Sequence, residues 1–207
     1  RRQRQMCIRD RNNEEQDMTL VWEKVKACIT ELMDSKVVAA EDIKGIGVTG
    51  QGEGCWLIDK EGKPLQNAIL WCDGRAVAEV HKITEEHPEI GKLYHQTTGT
   101  PPLLGNQMML LRWMKSHRKD VLDKGYKILF CKDWIRYNLT GKIGTEITDS
   151  FTSLIDAQTG KIAEDLMKEL DIFEYRDYLP DPVDSDEVVG TILNSVAEET
   201  GLAKGTP

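Results

Sequence analysis

The sequence predicts an α/β domain, and three features of its patterning support this. Short apolar runs typical of strands are interleaved with longer segments whose apolar residues recur at helical spacing. The runs at 46–49, 55–58 and 68–71 are consecutively apolar rather than alternating, as in strands that are covered on both faces. At 207 residues, the chain is long enough for one sizeable domain or for part of a two-domain protein.

The elements are predicted in order from spacing and from turn residues. An amphipathic helix is predicted over 14–33, with an acidic first turn that suits the helix dipole. Further helices are predicted from Arg75 to about His87, from Pro101 through the apolar segment 108–111, and over 134–139, 162–170 and 195–200. Additional strands are predicted at 128–131 and 188–192. Asp133 is expected to cap the 134–139 helix, and Gly141 to end it.

The stretch 45–75 organises the rest of the chain. Its first apolar run ends at the glycine-rich bend 50–54, and its second and third runs, joined by the polar turn 59–64, predict an antiparallel hairpin. Two polar pairs follow these strands, Gln51 with Glu53 and Asp73 with Arg75. Because rigid scaffolds carry function at loop ends, these pairs are candidate site residues.

The three glycines of the 50–54 bend do not predict a nucleotide site. A phosphate-binding glycine loop leads directly into a helix, whereas a strand-like run follows here, and the chain has no GxxxxGK[ST] segment. Two interpretations remain open from the residues alone. One is a bend that lets a ligand approach the backbone beside Glu53, and the other is a tight turn with a solvated glutamate.

Composition narrows the possible function classes. The five cysteines are odd in number and form no CxxC pair, and the four histidines show no metal-ligand spacing, which favours a reduced, cytoplasmic protein without a metal site. No apolar stretch approaches the ~20 residues of a membrane span. The arginine-rich start could suggest an arm that binds nucleic acid. The chain as a whole is acidic, with a net charge of −8, and its sequence shows no second basic patch that could follow a phosphate backbone. We therefore treat residues 1–13 as a basic leader, non-native in appearance or disordered, and residues 14–207 as the domain.

The motifs of the chain, taken together, resemble the N-terminal domain of the FGGY carbohydrate kinases. The second signature region of that family is similar to the Gly50-Gln51 strand end, the D-x-x-G-x-P-L turn at 59–65 and the A-I-L-W-x-D-x-R run at 68–75. Further segments match in register, namely Glu15-Gln16-Asp17, Thr98-Gly99, 111–113, Lys132-Asp133-Trp134, 139–141, Thr148-Asp149-Ser150 and 192–207. The resemblance spans about residue 14 to the end and is strongest to xylulokinase-like and L-xylulose kinase-like members.

This resemblance implies a ribonuclease H-like fold of the actin/hexokinase ATPase superfamily, with a mixed sheet flanked by helices. It also implies that Gln51, Gly52 and Glu53 lie at the sugar, with the Glu53 carboxylate accepting hydroxyl hydrogen bonds. Trp71 is either an indole wall for the apolar face of a polyol or a core tryptophan. Asp73 and Arg75 either pair to fix their loop or contact the sugar. Asn106 is a further candidate contact to the sugar. Glycerol-specific relatives carry a tyrosine where this chain has Gly105-Asn106, which speaks against glycerol as the substrate.

The resemblance implies an ATP- and Mg²⁺-dependent kinase acting on a small ketose or polyol, with a ketopentose such as xylulose as the leading substrate. It places the catalytic aspartate beyond Pro207 and the phosphate loop and ATP domain outside this chain, so the chain alone is expected to be inactive. Asp133 and Asp149 are not assigned that vacant role and are expected to cap helices or to lie in solvated loops. A homodimer of the intact enzyme is one expectation. The alternative is a catalytically dead, sugar-binding relative of the same fold.

Overall fold

A computed structural model describes residues 7–10 and 13–207 as a mixture of helices and short strands. The strands are β1 Cys7–Asp10, β2 Asn13–Gln16, β3 Trp56–Ile58, β4 Ala68–Ile69, β5 Lys127–Leu129, β6 Thr145–Glu146 and β7 Pro182–Val183. The α-helices are α1 Met18–Asp34, α2 Val77–His81, α3 Pro88–Thr98, α4 Gln107–His117, α5 Lys119–Leu122, α6 Cys131–Thr140, α7 Ile147–Ser150, α8 Glu164–Glu169 and α9 Asn194–Thr200. Short 3₁₀ segments at Ala40–Asp42 and Phe173–Tyr178 and a π-helical turn at Lys82–Glu86 complete the described elements.

The strands form a mixed set of ladders. β1, β2 and β4 pair antiparallel in that order, β3 pairs antiparallel with β5, and β6 pairs parallel with β7. Single antiparallel bridges join Cys55 to Ile69 and Ile58 to Pro64. The predicted hairpin is therefore confirmed, and it places the ends of the 50–54 bend and of β4 side by side.

The centre of the molecule consists of strands that are buried on both faces, as the consecutive apolar runs predict. Leu57 of β3 packs into one hydrophobic cluster, whereas its neighbours Trp56 and Ile58 pack into a second cluster on the other side. The first cluster contains the middle of α4, and the second contains Met18 and Val21 of α1. The apolar segment 108–111 is thus a core helix, as predicted, with all four side chains fully buried.

The first long helix begins later than predicted, at Met18 rather than Glu14. Residues Asn13–Gln16 form β2 instead, because this segment pairs with β1 and β4. Asp17 separates strand from helix, and its side chain accepts a hydrogen bond from the Leu20 amide at 2.9 Å. The first turn of α1 holds no acidic residue, so the acidic side chains of this region belong to the strand and the cap.

The helix predicted to end at about His87 does end there, since its π-helical last turn stops at Glu86. Pro88 then occupies the first turn of a separate helix, α3, which was not predicted; a missing amide hydrogen costs little at that position. Other predicted boundaries are wrong. The helix predicted from Pro101 begins only at Gln107, after an irregular turn. Within the described residues, no strand forms at 46–49 or 188–192. The Ile46 amide donates to the Pro207 carbonyl and the Ile192 amide to the Thr206 carbonyl, outside any ladder.

The predictions for α6 and α9 are confirmed in outline. The Asp133 carboxylate accepts from the Phe130 amide at 3.2 Å, so it caps the helix from inside the first turn rather than from before it. Gly141 and Gly201 end their helices in the left-handed conformation, with φ of 70° and 80°. Across the described ranges, no helix is both long and apolar enough to cross a membrane. Of the predicted leader, residues 1–13, the structure describes only residues 7–10 and 13, and the rest lies outside the described residues.

We expect substitution in the core helix to be costly. Leu110→Ala removes a fully buried side chain from the middle of α4 and should lower the free energy of unfolding by about 2–5 kcal/mol. Leu32→Ala in α1, where the side chain is 49% exposed, is the matched control and should cost well under half as much. Urea unfolding followed by circular dichroism measures both, and equal losses would contradict the assignment of α4 to the core.

Candidate functional site

The 50–54 bend is held where three loops meet. The Gly54 amide donates to the Gly105 carbonyl at 3.0 Å, which joins the bend to the loop before α4. Gly54 has φ of +84°, and a Cβ there would lie 2.5 Å from the Ile69 carbonyl oxygen. A Cβ on Gly105 would lie 1.8 Å from the carbonyl oxygen of Trp71. These backbones approach so closely that only glycine fits at both positions.

Glu53 is the polar centre of this junction. Its Oε1 accepts from Asn106 Nδ2 at 2.9 Å and from the Thr152 hydroxyl at 2.5 Å. Its Oε2 accepts from the Gln107 amide at 3.1 Å and from the Ser153 hydroxyl at 2.8 Å. The carboxylate therefore ties the bend to the first residue of α4 and to the loop after α7.

The environment of the Glu53 carboxylate differs from that of a glutamate in a solvated turn. Burial raises the pKa of Glu53, and the hydrogen bonds from Thr152, Ser153, Gln107 and Asn106 oppose that rise. The residue adopts φ of 57°, a left-handed conformation that is uncommon outside glycine. The interpretation as a tight turn with a solvated glutamate is therefore wrong. All four acceptor positions of the carboxylate are occupied by protein donors.

Asn106 lies beside Glu53 but is turned inward. In addition to its bond to Glu53, its Oδ1 accepts from the Leu103 amide at 2.5 Å and from the Tyr94 hydroxyl at 3.3 Å. The residue is almost fully buried. The structure thus brings Asn106 to the predicted site, where its side chain positions Glu53 and closes the turn before α4.

Trp71 follows β4 directly and reaches the surface. Its side chain is 57% exposed, so the alternative of a core tryptophan is wrong. Its backbone is in close contact with Gly105 and thereby lies against the same junction as Glu53. An exposed indole at the end of a buried strand is a suitable surface for the apolar face of a ligand.

Asp73 and Arg75 form a buried ion pair. Arg75 Nε lies 2.8 Å from Asp73 Oδ1, and Arg75 Nη2 lies 2.7 Å from Glu15 Oε1. Asp73 Oδ2 also accepts from the Glu14 amide at 2.6 Å, and the Arg75 guanidinium stacks over the Trp113 ring at 5.1 Å. These contacts fix the loop after β4 to β2. Of the two alternatives for Asp73 and Arg75, the structure therefore favours the pairing that fixes their loop over a direct contact with the sugar.

Gln51 and Gly52 occupy the other side of the bend. Gln51 Nε2 donates to the Gln16 side chain at 2.8 Å, so β2 contacts both predicted polar pairs. A Cβ on Gly52 would lie 3.2 Å from Asp149 Oδ1, which places the α7 carboxylate directly against the bend. Gly52 is partly exposed, and its backbone has no left-handed strain.

The sequence reasoning missed a charged cluster beside Gly52. Lys132 Nζ is paired with Glu146 and lies 3.0 Å from Asp149 Oδ2. Burial opposes ionisation of Glu146, but hydrogen bonds from Lys132, Ser185 and Thr148 hold its pKa well below its usual range. Asp149 was expected to cap a helix or to lie in a solvated loop; it lies in the first turn of α7, and its side chain is mostly buried. Lys132 and Asp149 both fall in segments that carry the family resemblance, which was the available signal. Thr152 and Ser153, the hydroxyl partners of Glu53, carry no such signal.

A cavity of about 540 Å³ adjoins this cluster. The extended segment 44–48, α6 and the 183–190 loop line it, and Lys132 and Glu146 form part of its wall. The seven predicted site residues do not line it. In the part of the chain that the structure describes, no group of three or more His, Cys, Asp or Glu side chains is arranged to hold a metal ion.

Comparison with known proteins gives a consistent assignment of this architecture. The sequence model of the FGGY family of carbohydrate kinases, N-terminal domain, matches residues 1–207. The chain is 37% identical over 195 residues to the L-xylulose/3-keto-L-gulonate kinase of Escherichia coli, covering 93% of this chain and 39% of that protein. It is 33% identical over 179 residues to the xylulose kinase of Bacillus subtilis, covering 86% of this chain and 35% of the relative. The chain thus spans well under half the length of these relatives.

The fold is shared with solved sugar-kinase structures. The ligand-bound xylulose kinase from Lactobacillus acidophilus superimposes with a TM-score of 0.87 at 21% identity, covering 97% of this chain and 40% of that one. The predicted α/β fold, with strands interleaved with helices, is confirmed and is shared with these structures.

We predict that neutralising Glu53 loosens the junction. In Glu53→Gln, one carboxylate oxygen becomes an amide donor facing groups that also donate, so about 1–3 kcal/mol of unfolding free energy should be lost. Glu61→Gln in the exposed hairpin turn is the control and should be within about 0.5 kcal/mol of the parent. Chemical denaturation measures both, and an unchanged Glu53→Gln midpoint would argue against the four-donor arrangement.

Gly54→Ala should be more damaging than Gly99→Ala. Both glycines are left-handed, with φ of +84° and +76°, so each substitution carries a backbone cost of about 1–2 kcal/mol. A Cβ on Gly99 meets nothing within 4 Å, whereas one on Gly54 meets a backbone oxygen and should add about 1–3 kcal/mol. Thermal unfolding of the two variants side by side checks this, and equal melting temperatures would show that the bend can shift away from β4.

Proposed function

Because the chain belongs to the FGGY family of carbohydrate kinases, we propose that it forms the sugar-binding part of an ATP-dependent kinase. The observation that carries this proposal is the Glu53 junction, which holds the glycine bend, the loop before α4 and the end of β4 in one place. A rigid platform of loop ends with an exposed indole suits the binding of a small polyhydroxylated ligand.

The proposed substrate is a small ketose or polyol, with a ketopentose such as xylulose as the leading candidate. The names of the relatives support this, since they are kinases of L-xylulose, 3-keto-L-gulonate and xylulose. Gly52 presents no side chain of its own to a ligand. Gly105 admits no larger residue against Trp71, which disfavours a glycerol site built around a tyrosine there.

We assign the seven candidate residues to two roles. Gly52 and Trp71 remain partly or largely exposed at the junction and are the proposed contact surface, with Gln51 beside them. Glu53, Asn106, Asp73 and Arg75 are the proposed positioning residues, because their polar atoms already bind protein partners. A sugar hydroxyl would have to displace one of four donors to reach the Glu53 carboxylate.

The described residues do not fit a site for ATP or Mg²⁺. The 50–54 bend leads into β3 rather than into a helix whose amide groups would hold phosphates. Among the described residues, no group of three or more His, Cys, Asp or Glu side chains is placed to hold a metal ion. We therefore propose that this chain binds and orients the sugar, and that phosphoryl transfer depends on other residues of the intact protein. A sugar-binding relative that lacks kinase activity is the second candidate, and the same junction favours it equally.

We expect the 207-residue chain to bind D- or L-xylulose and to release no ADP when ATP and Mg²⁺ are added. Indole N–H signals of ¹⁵N-labelled protein report binding, and the Trp71 signal should move while that of Trp22, on α1, stays fixed. Trp71→Phe identifies the signal and should weaken binding, because the indole surface is reduced. Glycerol is the control ligand and should leave the Trp71 signal in place.

Two outcomes would count against the proposal. A chain that binds neither xylulose would contradict its role as the sugar-binding part. ATP-dependent phosphorylation of xylulose by the 207-residue chain would contradict the division of labour. Assaying the complete gene product separates the two candidate functions, since the dead relative binds the sugar without consuming ATP.

A further inference from the structure

We propose that Asp149 is the specificity-determining carboxylate of this site, accepting a hydrogen bond from a sugar hydroxyl, and that Glu53 positions the bend against it. This inference rests on the proposed sugar-binding function and names the residue that gives it selectivity. It differs from the assignment made from sequence, in which Glu53 was the acceptor.

The first observation is the placement of Asp149 at the one position of the bend that has no side chain. A Cβ on Gly52 would lie 3.2 Å from Asp149 Oδ1, so this oxygen occupies the space toward which a side chain at position 52 would point. This chain therefore presents the α7 carboxylate, rather than a side chain of its own, at position 52 of the bend. Gly52 leaves that oxygen uncovered.

The second observation is the difference in remaining acceptor capacity between the two carboxylates. Both oxygens of Glu53 accept two hydrogen bonds each. Asp149 Oδ2 lies 3.0 Å from Lys132 Nζ, an ion pair without good hydrogen-bond alignment. Within residues 13–207, no donor is bonded to Asp149 Oδ1. Asp149 is therefore the carboxylate beside the bend that can still accept a hydroxyl.

The third observation is that Asp149 is held rigidly. The Glu146 carboxylate accepts from the Asp149 amide at 2.8 Å and from the Thr148 amide at 2.8 Å, which fixes the first turn of α7. Lys132 bridges Glu146 and Asp149 from α6. The Asp149 side chain is 16% exposed, so it is mostly desolvated yet still reachable.

The electrostatics of Asp149 favour an additional donor. Burial and the nearby Glu146 carboxylate raise the pKa of Asp149, and the close contact and positive charge of the Lys132 ammonium only partly oppose this. A hydroxyl hydrogen bond to Oδ1 would stabilise the ionised form and would be charge-assisted, which is the stronger kind of hydrogen bond. A carboxylate that merely joined α6 to α7 would need no uncovered oxygen at the bend.

The test is a coupling experiment on the 207-residue chain with L-xylulose and its monodeoxy analogues. The parent protein should bind one deoxy analogue roughly tenfold or more weaker than L-xylulose, as expected for the loss of a hydrogen bond to a charged group. Asp149→Asn should weaken the binding of L-xylulose by a similar factor, and this variant should bind L-xylulose and that deoxy analogue with similar affinity. Asp165→Asn, at an exposed surface pair with Lys168, is the matched control and should keep the parent pattern.

A second variant keeps the test decisive if Asp149→Asn folds poorly. Gly52→Ala places a methyl group against Asp149 Oδ1 without left-handed strain, so it should weaken L-xylulose binding while the unfolding midpoint stays near that of the parent. If Asp149→Asn or Gly52→Ala discriminates among the analogues as the parent does, this inference is overturned and the proposed function stands. If the parent chain binds no xylulose, both fall together.

Discussion

The Glu53 carboxylate is the interaction on which the arrangement of the site depends. Its four hydrogen bonds join segments that are far apart in sequence, from the bend at 50–54 to the loop at 152–153. A buried carboxylate is costly unless its acceptor positions are filled, so this network is favourable only when all of these loops are in place. The geometry of the bend is consequently a property of the whole domain rather than of its own five residues.

Much of the fold could be predicted because the signals were local. Consecutive apolar residues in β3 and β4 showed burial on both faces, and the pattern at 108–111 showed a core helix. The failures have one physical cause. Whether 13–16 becomes strand or helix, and whether 46–49 joins a ladder, depends on partners that are distant in sequence. Periodicity does not contain that information.

The structure brings several of the candidate site residues together, although their detailed contacts were not predicted. Resemblance drew attention to the bend at 50–54, and Glu53, Asn106 and Trp71 lie beside one another there. Which polar atoms remain available was not predictable, because this follows from counting donors and acceptors in three dimensions. Asp149 illustrates the point, since it was expected either to cap a helix or to lie in a solvated loop, whereas in the fold it lies against Gly52 and Lys132.

The close contact between Gly105 and the Trp71 carbonyl restricts how the candidate site can be redesigned. Any larger residue at 105 would collide with main chain, which cannot rotate away as a side chain does. Position 52 meets only the end of one carboxylate side chain, so it is the more permissive place to introduce new selectivity. A library that varied positions 52 and 149 together, with 105 left as glycine, would alter the surface of the candidate site while keeping the close main-chain contact that supports it.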